Sequence, residues 1–192
     1  MKKLNLLTVL VFLFIFFSTC NHDYTPKPRG FYRITLPDKK YTAYDPHDCP
    51  FSFEIPQYAK VLPDTNRLAE PCWMYITFPP FNAQIYLTYK TLHNDLNKYT
   101  EDAHTLVYKH TVKANGIDEK LFNTSANVHG ILYEIGGNAA SAVQFYATDS
   151  IRHFLRGSLY FNCVPHSDSL APVIDFLQKD VEHIVNSLKW KN

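Results

Sequence analysis

The hydrophobic period of this chain switches back and forth between two and 3.6 residues, and that alternation limits its folds more than any single motif. Phe51-Ser52-Phe53-Glu54-Ile55 alternates and is ended by Pro56, Trp73 to Phe78 follows, and Ala83 to Lys90 places Ile85, Leu87 and Tyr89 on one face. Side chains at every second position mark half-buried strands. The turn Pro79-Pro80-Phe81-Asn82 separates the last two. Leu92, Leu96, Tyr99, Ala103, Leu106, Val107 and His110 then recur at steps of three and four, which predicts an amphipathic helix ending near Ala114-Asn115-Gly116. Phe122 to Ser125, Val128 to Ile135, Val143 to Thr148 and Ile151 to Phe161 read as further strands, with a break at Gly136-Gly137-Asn138 and a tight turn at Asp149-Ser150. A terminal helix runs through Leu170, Val173, Ile174, Leu177, Val181, Ile184, Val185 and Leu188, with Asp168 or Ser169 as cap and Pro172 in its first turn. The expected class is α+β, a mainly antiparallel sheet flanked by helices.

The first 19 residues stand apart from this pattern. Lys2 and Lys3 precede an apolar run from Leu6 to Phe17, which stops at Ser18-Thr19-Cys20 and gives way to Asn21-His22-Asp23. That is the layout of a secretory signal peptide, and its run is about half of the ~20 residues that a membrane-spanning helix needs. Small residues followed by cysteine resemble the lipobox of bacterial lipoproteins, in which the thiol is acylated and becomes the new N-terminus. Phe17 and Thr19 depart from the usual leucine and glycine or alanine. The competing reading is an ordinary signal peptide with an incidental cysteine. Two or more acyl chains hold a protein stably to a membrane, at ~0.8 kcal/mol per buried methylene. The expected organisation is therefore a leader over 1–19, an acylated cysteine with a proline-rich tether and irregular lead-in over 20–50, and one α+β domain over 51–192. Phe31-Tyr32-Arg33-Ile34 reads as a short edge strand inside the lead-in.

The whole chain carries 19 basic and 18 acidic side chains, and the leader removes two lysines, leaving 17 against 18. A near-neutral protein lacks the basic footprint of a nucleic-acid binder, and 46% hydrophobic residues exclude a disordered chain. Export permits disulfides. Cys49 and Cys72 lie at the edges of expected strands and form the expected pair, whose closure stabilises by roughly 3 kcal/mol in the chain-entropy model. Cys163 reads as a buried small hydrophobe.

Nine histidines invite an enzymatic reading, but the spacings do not support one. His-Glu-x-x-His and Gly-x-Ser-x-Gly are absent, Arg156-Gly157-Ser158 falls inside a strand, and no zinc, calcium or phosphate pattern is present. Catalytic, metal and cofactor residues are accordingly expected to be none. His104 reads as the i,i+3 partner of Glu101. Arg152, Phe154 and Arg156 alternate with Ile151, His153 and Leu155, so they could share one face as a partner-docking surface, arginine and aromatics being enriched at interface hot spots. The bland reading is an ordinary cationic strand face. Tyr108-Lys109-His110 is a weaker candidate. The other function class is a periplasmic small-ligand-binding protein or envelope enzyme with a histidine-lined cleft, tested at His153.

The element order, with its proline-ended first strand and a last helix running into Ser187-Leu188-Lys189-Trp190, is similar to the PsbP-like α/β/α sandwich. A more specific likeness runs along nearly the whole chain. Cys20, Pro28-Arg29-Gly30-Phe31-Tyr32-Arg33-Ile34, Cys49-Pro50-Phe51, Cys72-Trp73, Phe81-Asn82, Tyr108-Lys109-His110-Thr111, Gly137-Asn138-Ala139-Ala140-Ser141, Ala147-Thr148-Asp149-Ser150 and Leu188-Lys189-Trp190-Lys191 resemble the gliding-motility lipoprotein GldD family of Bacteroidetes-type bacteria. The resemblance implies a membrane-anchored, non-enzymatic component of gliding motility and the associated type IX secretion machinery. It implies a lipid on Cys20, a recurring Cys49 and Cys72 pair, and envelope proteins as partners, without a residue-level mechanism. Which membrane carries the anchor stays open.

Overall fold

Ten strands and two α-helices follow the predicted alternation closely in the computed structural model, which describes residues 33–191. The strands are β1 (Tyr41–Tyr44), β2 (Phe51–Pro56), β3 (Lys60–Pro63), β4 (Met74–Phe78), β5 (Ala83–Thr91), β6 (Ala114–Thr124), β7 (Val128–Gly137), β8 (Ser141–Thr148), β9 (His153–Phe161) and β10 (Lys189–Trp190); the helices are α1 (Leu96–Tyr108) and α2 (Ser167–Ser187). Seven strands form one antiparallel sheet in the order β3-β4-β5-β9-β8-β7-β6, and β1-β2-β10 form a second. The leader, Cys20 and the tether lie outside the described residues, as do Phe31 and Tyr32; Arg33 and Ile34 are not in a strand.

Alternation sorts each strand's side chains onto two faces, and each face has its own helix. On one face Ile76, Ile85, Leu87, Val143, Phe145, Leu155 and Leu159 meet Val173, Leu177, Val181 and Ile184 of α2, with Phe51 and Phe53 of the small sheet closing the same core. Gly157 makes room for this packing, since a Cβ there would stand 2.2 Å from the ring of Phe145. On the other face Val107 packs on Tyr133 and Ile135, while Ala103, Leu96 and Tyr99 cover Phe154. The result is the expected α+β architecture, a mainly antiparallel sheet between helices.

Several boundaries differ from the sequence reading, each for a physical reason. Leu92 is not helical: its N–H bonds to the Arg152 carbonyl at 2.8 Å, and its buried side chain lies under α1. The α-helix stops at Tyr108 and tightens to 3-10 geometry over Lys109–Val112, after which Ala114 opens β6. The cap of α2 is His166, not Asp168 or Ser169, and the first free N–H, that of Ser167, is taken by the Asn138 side chain at 2.8 Å. Pro172 therefore falls in the second turn. β1 lies within the stretch read as lead-in, yet pairs with β2 through Tyr41 and Pro56 to Tyr44 and Phe53. Cys163 is exposed rather than buried, in the connection after β9. Cys49 and Cys72 are bonded, with Cα atoms 5.6 Å apart.

Where the chain enters the fold, it is tied to α2 by one carboxylate. Asp180 is fully buried and accepts hydrogen bonds from the Tyr41 and Tyr58 hydroxyls, and Lys39 Nζ pairs with it at 2.6 Å. Lys39 also donates to the Phe176 carbonyl at 2.7 Å and stands 3.5 Å over the Phe176 ring. Burial, followed by the bond to Asp180, raises both tyrosine pKa values. Tyr75 is pushed up to about 12, chiefly by its hydrogen bond to Asp64. Burial likewise raises Tyr133.

These shifts fix the sign of an alkaline transition. Unfolded tyrosines ionise near 10 and the folded ones later, so above that pH the unfolded chain binds fewer protons and stability falls as pH rises. Lys39, pulled down by burial, contributes a slope of opposite sign just below 10.5, but it is one group against several. Urea midpoints followed from pH 8 to pH 12 are expected to be level until about pH 9.5 and then to drop.

Candidate docking face and groove

α1 crosses its face of the large sheet and leaves open surface on both sides. On the β3-β4-β5-β9 side the outward positions are Tyr75 and Thr77, then Gln84, Tyr86 and Thr88, then Arg156, Ser158 and Tyr160. The strand registers align them in rows: Tyr75 opposite Tyr86 and Tyr86 opposite Ser158, with Thr88 opposite Arg156. Tyr75, Tyr86 and Tyr160 make successive edge-to-face contacts at 4.9 and 5.3 Å. Tyr86 is 40% exposed and its hydroxyl accepts from Gln84 Nε2 at 2.7 Å. This is a rigid aromatic surface of the type that interfaces favour, since tyrosine offers contact area at low entropic cost.

Arg156 stands at the end of this surface nearest α1. Its guanidinium donates to Gln144 Oε1 at 2.6 Å, an oxygen that also accepts from Ser158 Oγ at 3.2 Å. Both Gln144 and Ser158 are 1% exposed. Among the described residues no carboxylate pairs with Arg156, and Gln144 Nε2, buried, has no partner. Burial lowers the Arg156 pKa, and burial together with the Arg156 charge lowers that of His110.

The other two residues expected beside Arg156 are placed elsewhere. Phe154 lies on the same face, but α1 covers it: it is 3% exposed and stacks on Tyr146 at 5.5 Å. Its role is to seat the helix, which corrects its reading as a docking contact. Arg152 is in the exposed turn before β9, outside the strand, so the two arginines do not form one row. That turn is organised by Asp149, whose Oδ1 accepts the N–H groups of Ile151, Arg152 and His153 at 2.8 to 3.0 Å.

The other side of α1 is a groove. Two cavities of about 460 and 480 Å³ share Thr100 and Tyr146; the first reaches Glu101 and His104, and the second reaches His129 and Ser150. His129 Nε2 and Ser150 Oγ are 2.6 Å apart, although 21 residues separate them, and Ser150 has a left-handed backbone (φ 66°). No carboxylate pairs with His129 among the described residues, so the orienting third member of a nucleophilic triad is missing. His104 stacks on Tyr108 at 4.2 Å and faces Glu119 of β6 at 4.0 Å, rather than pairing with Glu101. His153 is buried, with Nδ1 2.8 Å from the Tyr89 hydroxyl and its ring stacked on Trp190, so it belongs to the core and not to a cleft. The histidines that do line a groove are His104 and His129. No sequence motif marks them, because strand pairing alone brings His129 to Ser150.

No curated protein matches this chain. The solution structure of cyanobacterial PsbP (CyanoP) from Synechocystis sp. PCC 6803 is similar at 8% identity, covering 81% of this chain and 95% of that one, with a TM-score of 0.46. The model of the gliding motility lipoprotein GldD matches residues 21–190, nearly all of the sequence after Cys20. The chain thus belongs to the gliding motility lipoprotein GldD family.

Proposed function

We propose that this lipoprotein is an assembly component of the gliding machinery and its associated type IX secretion apparatus, anchored through a lipid on Cys20 and working in the periplasm by protein-protein contact. The observation that carries this reading is the open surface of Tyr75, Tyr86, Tyr160 and Arg156: a cation without a carboxylate partner among the described residues beside an edge-to-face aromatic row, on the part of that sheet face which α1 leaves uncovered. No described helix is long and apolar enough to cross a membrane; in this reading attachment is through the lipid on Cys20. The protein has no catalytic role in this reading.

Cross-linking in cells tests it. The native lipoprotein is expected to capture motility or secretion components, and both Cys20→Ala and Arg156→Ala are expected to lose most of the captured partner while the folded domain persists. Capture unchanged in Arg156→Ala would remove this face from the interface.

The groove beside α1 supports a second reading, a small-ligand-binding protein. It predicts a soluble envelope metabolite whose binding falls at least tenfold in His129→Ala. Affinity unchanged by that substitution would exclude the groove.

A further inference from the structure

Arg156 is the charged residue among the outward positions of the tyrosine face. A guanidinium offers up to five N–H donors in a planar fork, and here one is spent on a neutral amide oxygen. The amide of Gln144, its oxygen already shared by Arg156 and Ser158, turns a buried N–H₂ that finds no acceptor. A buried donor left unpaired is unfavourable, and a desolvated charge without a counter-charge more so. The two are in contact through the Gln144 oxygen, which fixes the guanidinium, and an acceptor-only group carrying negative charge would satisfy the donors Arg156 has left. Thr88, Tyr146 and Ser158 around them carry no charge to compete with it.

We propose that this site receives a carboxylate from the partner polypeptide, an aspartate or glutamate side chain or a chain terminus, held by Arg156, which Gln144 orients, while the flanking segment lies across Tyr86 and Tyr160. Carboxylate geometry matches the guanidinium fork, and the tyrosine row supplies contact for a polypeptide, which a free inorganic anion would leave unused. This inference rests on the docking reading above and names its chemistry. Truncating one partner of a desolvated, hydrogen-bonded charge pair is among the costliest changes at an interface.

The test uses the full-length lipoprotein in membranes of its own cells, with two chemistries that report separately. Tyr86→p-benzoyl-L-phenylalanine forms a photo-adduct with whatever polypeptide covers the face, regardless of charge. Arg156→Lys keeps a cation but supplies an amine, which a water-soluble carbodiimide joins directly to a touching carboxylate; peptide mapping then locates the amide. The expected result is one partner in both experiments, with the amide at position 156 linked to an acidic residue or C-terminus of that partner. Arg156→Glu is expected to reduce the photo-adduct at least tenfold, whereas Arg156→Lys retains most of it. Near-UV circular dichroism and melting temperature matched to wild type establish that each variant is folded.

A photo-adduct without an amide at position 156 would overturn the carboxylate and leave the docking face standing. So would an amide to a carboxylate of the same chain. A photo-adduct to lipid, or none at all, would overturn the docking face and the carboxylate with it.

Discussion

Asp180→Ala is expected to lower the stability of the folded domain by about 3 kcal/mol, which is the scale of breaking a buried ionic pair by removing one partner. The carboxylate is fully buried, and three groups point at it: Lys39 Nζ and the hydroxyls of Tyr41 and Tyr58. Deleting it leaves a partly buried ammonium and two hydroxyls without their acceptor. Asp180→Asn preserves volume and one acceptor oxygen but not the charge, so its loss should be smaller. Lys39→Ala removes the counter-charge and leaves the fully buried carboxylate to the two tyrosine hydroxyls, so its cost should match that of Asp180→Ala although the Lys39 side chain is 26% exposed. Urea midpoints at pH 7, with both Asp180→Ala and Lys39→Ala below Asp180→Asn, check the account. Equal and small effects in all three would mean that α2 and the entering segment are held by packing alone. The consequence is geometric. Tyr41 opens β1, Lys39 precedes it and Tyr58 follows β2, so this carboxylate fastens the first segment of the fold to the last helix. In a lipid-anchored protein, that segment connects the membrane to the domain.

Most of this fold is legible in the sequence, because most of its elements have one buried face. β2, β4 and β5 have their alternation imposed by the core under α2, and α2 itself has a continuous apolar stripe. What escaped is what lacks a buried face of its own. β6 is an edge strand over Ala114–Thr124 in which Asp118, Glu119 and Lys120 interrupt any pattern and Leu121 is 85% exposed, so only its end at Phe122 was legible. β1, β3 and β10 are four residues or shorter; β1 and β3 form by pairing with the next strand in the chain, and β10 by pairing with β2 far back in the sequence.

The docking site shows the same division. Arg156 was legible because it breaks an apolar strand with charge. Phe154, two residues away with the same parity, was assigned to the same surface, and nothing in local sequence reveals that α1 lands on one and leaves the other open. Gln144 carried no signal at all. Its importance comes from the register of β8 on β9, which sets it opposite Ser158 and beside Arg156. His129 and Ser150 meet for the same reason. Periodicity reports which way a side chain points, while the neighbour it meets is decided by pairing between strands.

Removal of the Cys49 and Cys72 bridge, by the double change Cys49→Ala and Cys72→Ala, is expected to cost about 3 kcal/mol, from the loop entropy of a bond spanning 23 residues. For a domain of this size that corresponds to a fall in melting temperature on the order of 10 °C. Between β2 and β4 the loop is held at its start, where Tyr58 reaches Asp180 and Ala59 is buried, but further on β3 is a four-residue edge strand and Leu68 is 82% exposed. The bridge fastens that loop at the junction between the small sheet and the edge of the large one, where Trp73 Nε1 donates to the Tyr89 carbonyl at 3.1 Å. Loss should therefore appear first as faster amide exchange in β3 and its turn, with β8 and β9 protected until global unfolding. Thiol titration supplies the control. Apart from Cys20, the native oxidised protein should present one reactive thiol, the exposed Cys163, and three after reduction and denaturation. Three reactive thiols before reduction would show that the bridge does not form in the cell, and beyond its start the loop would then have to be held by the pairing of β3 on β4 alone.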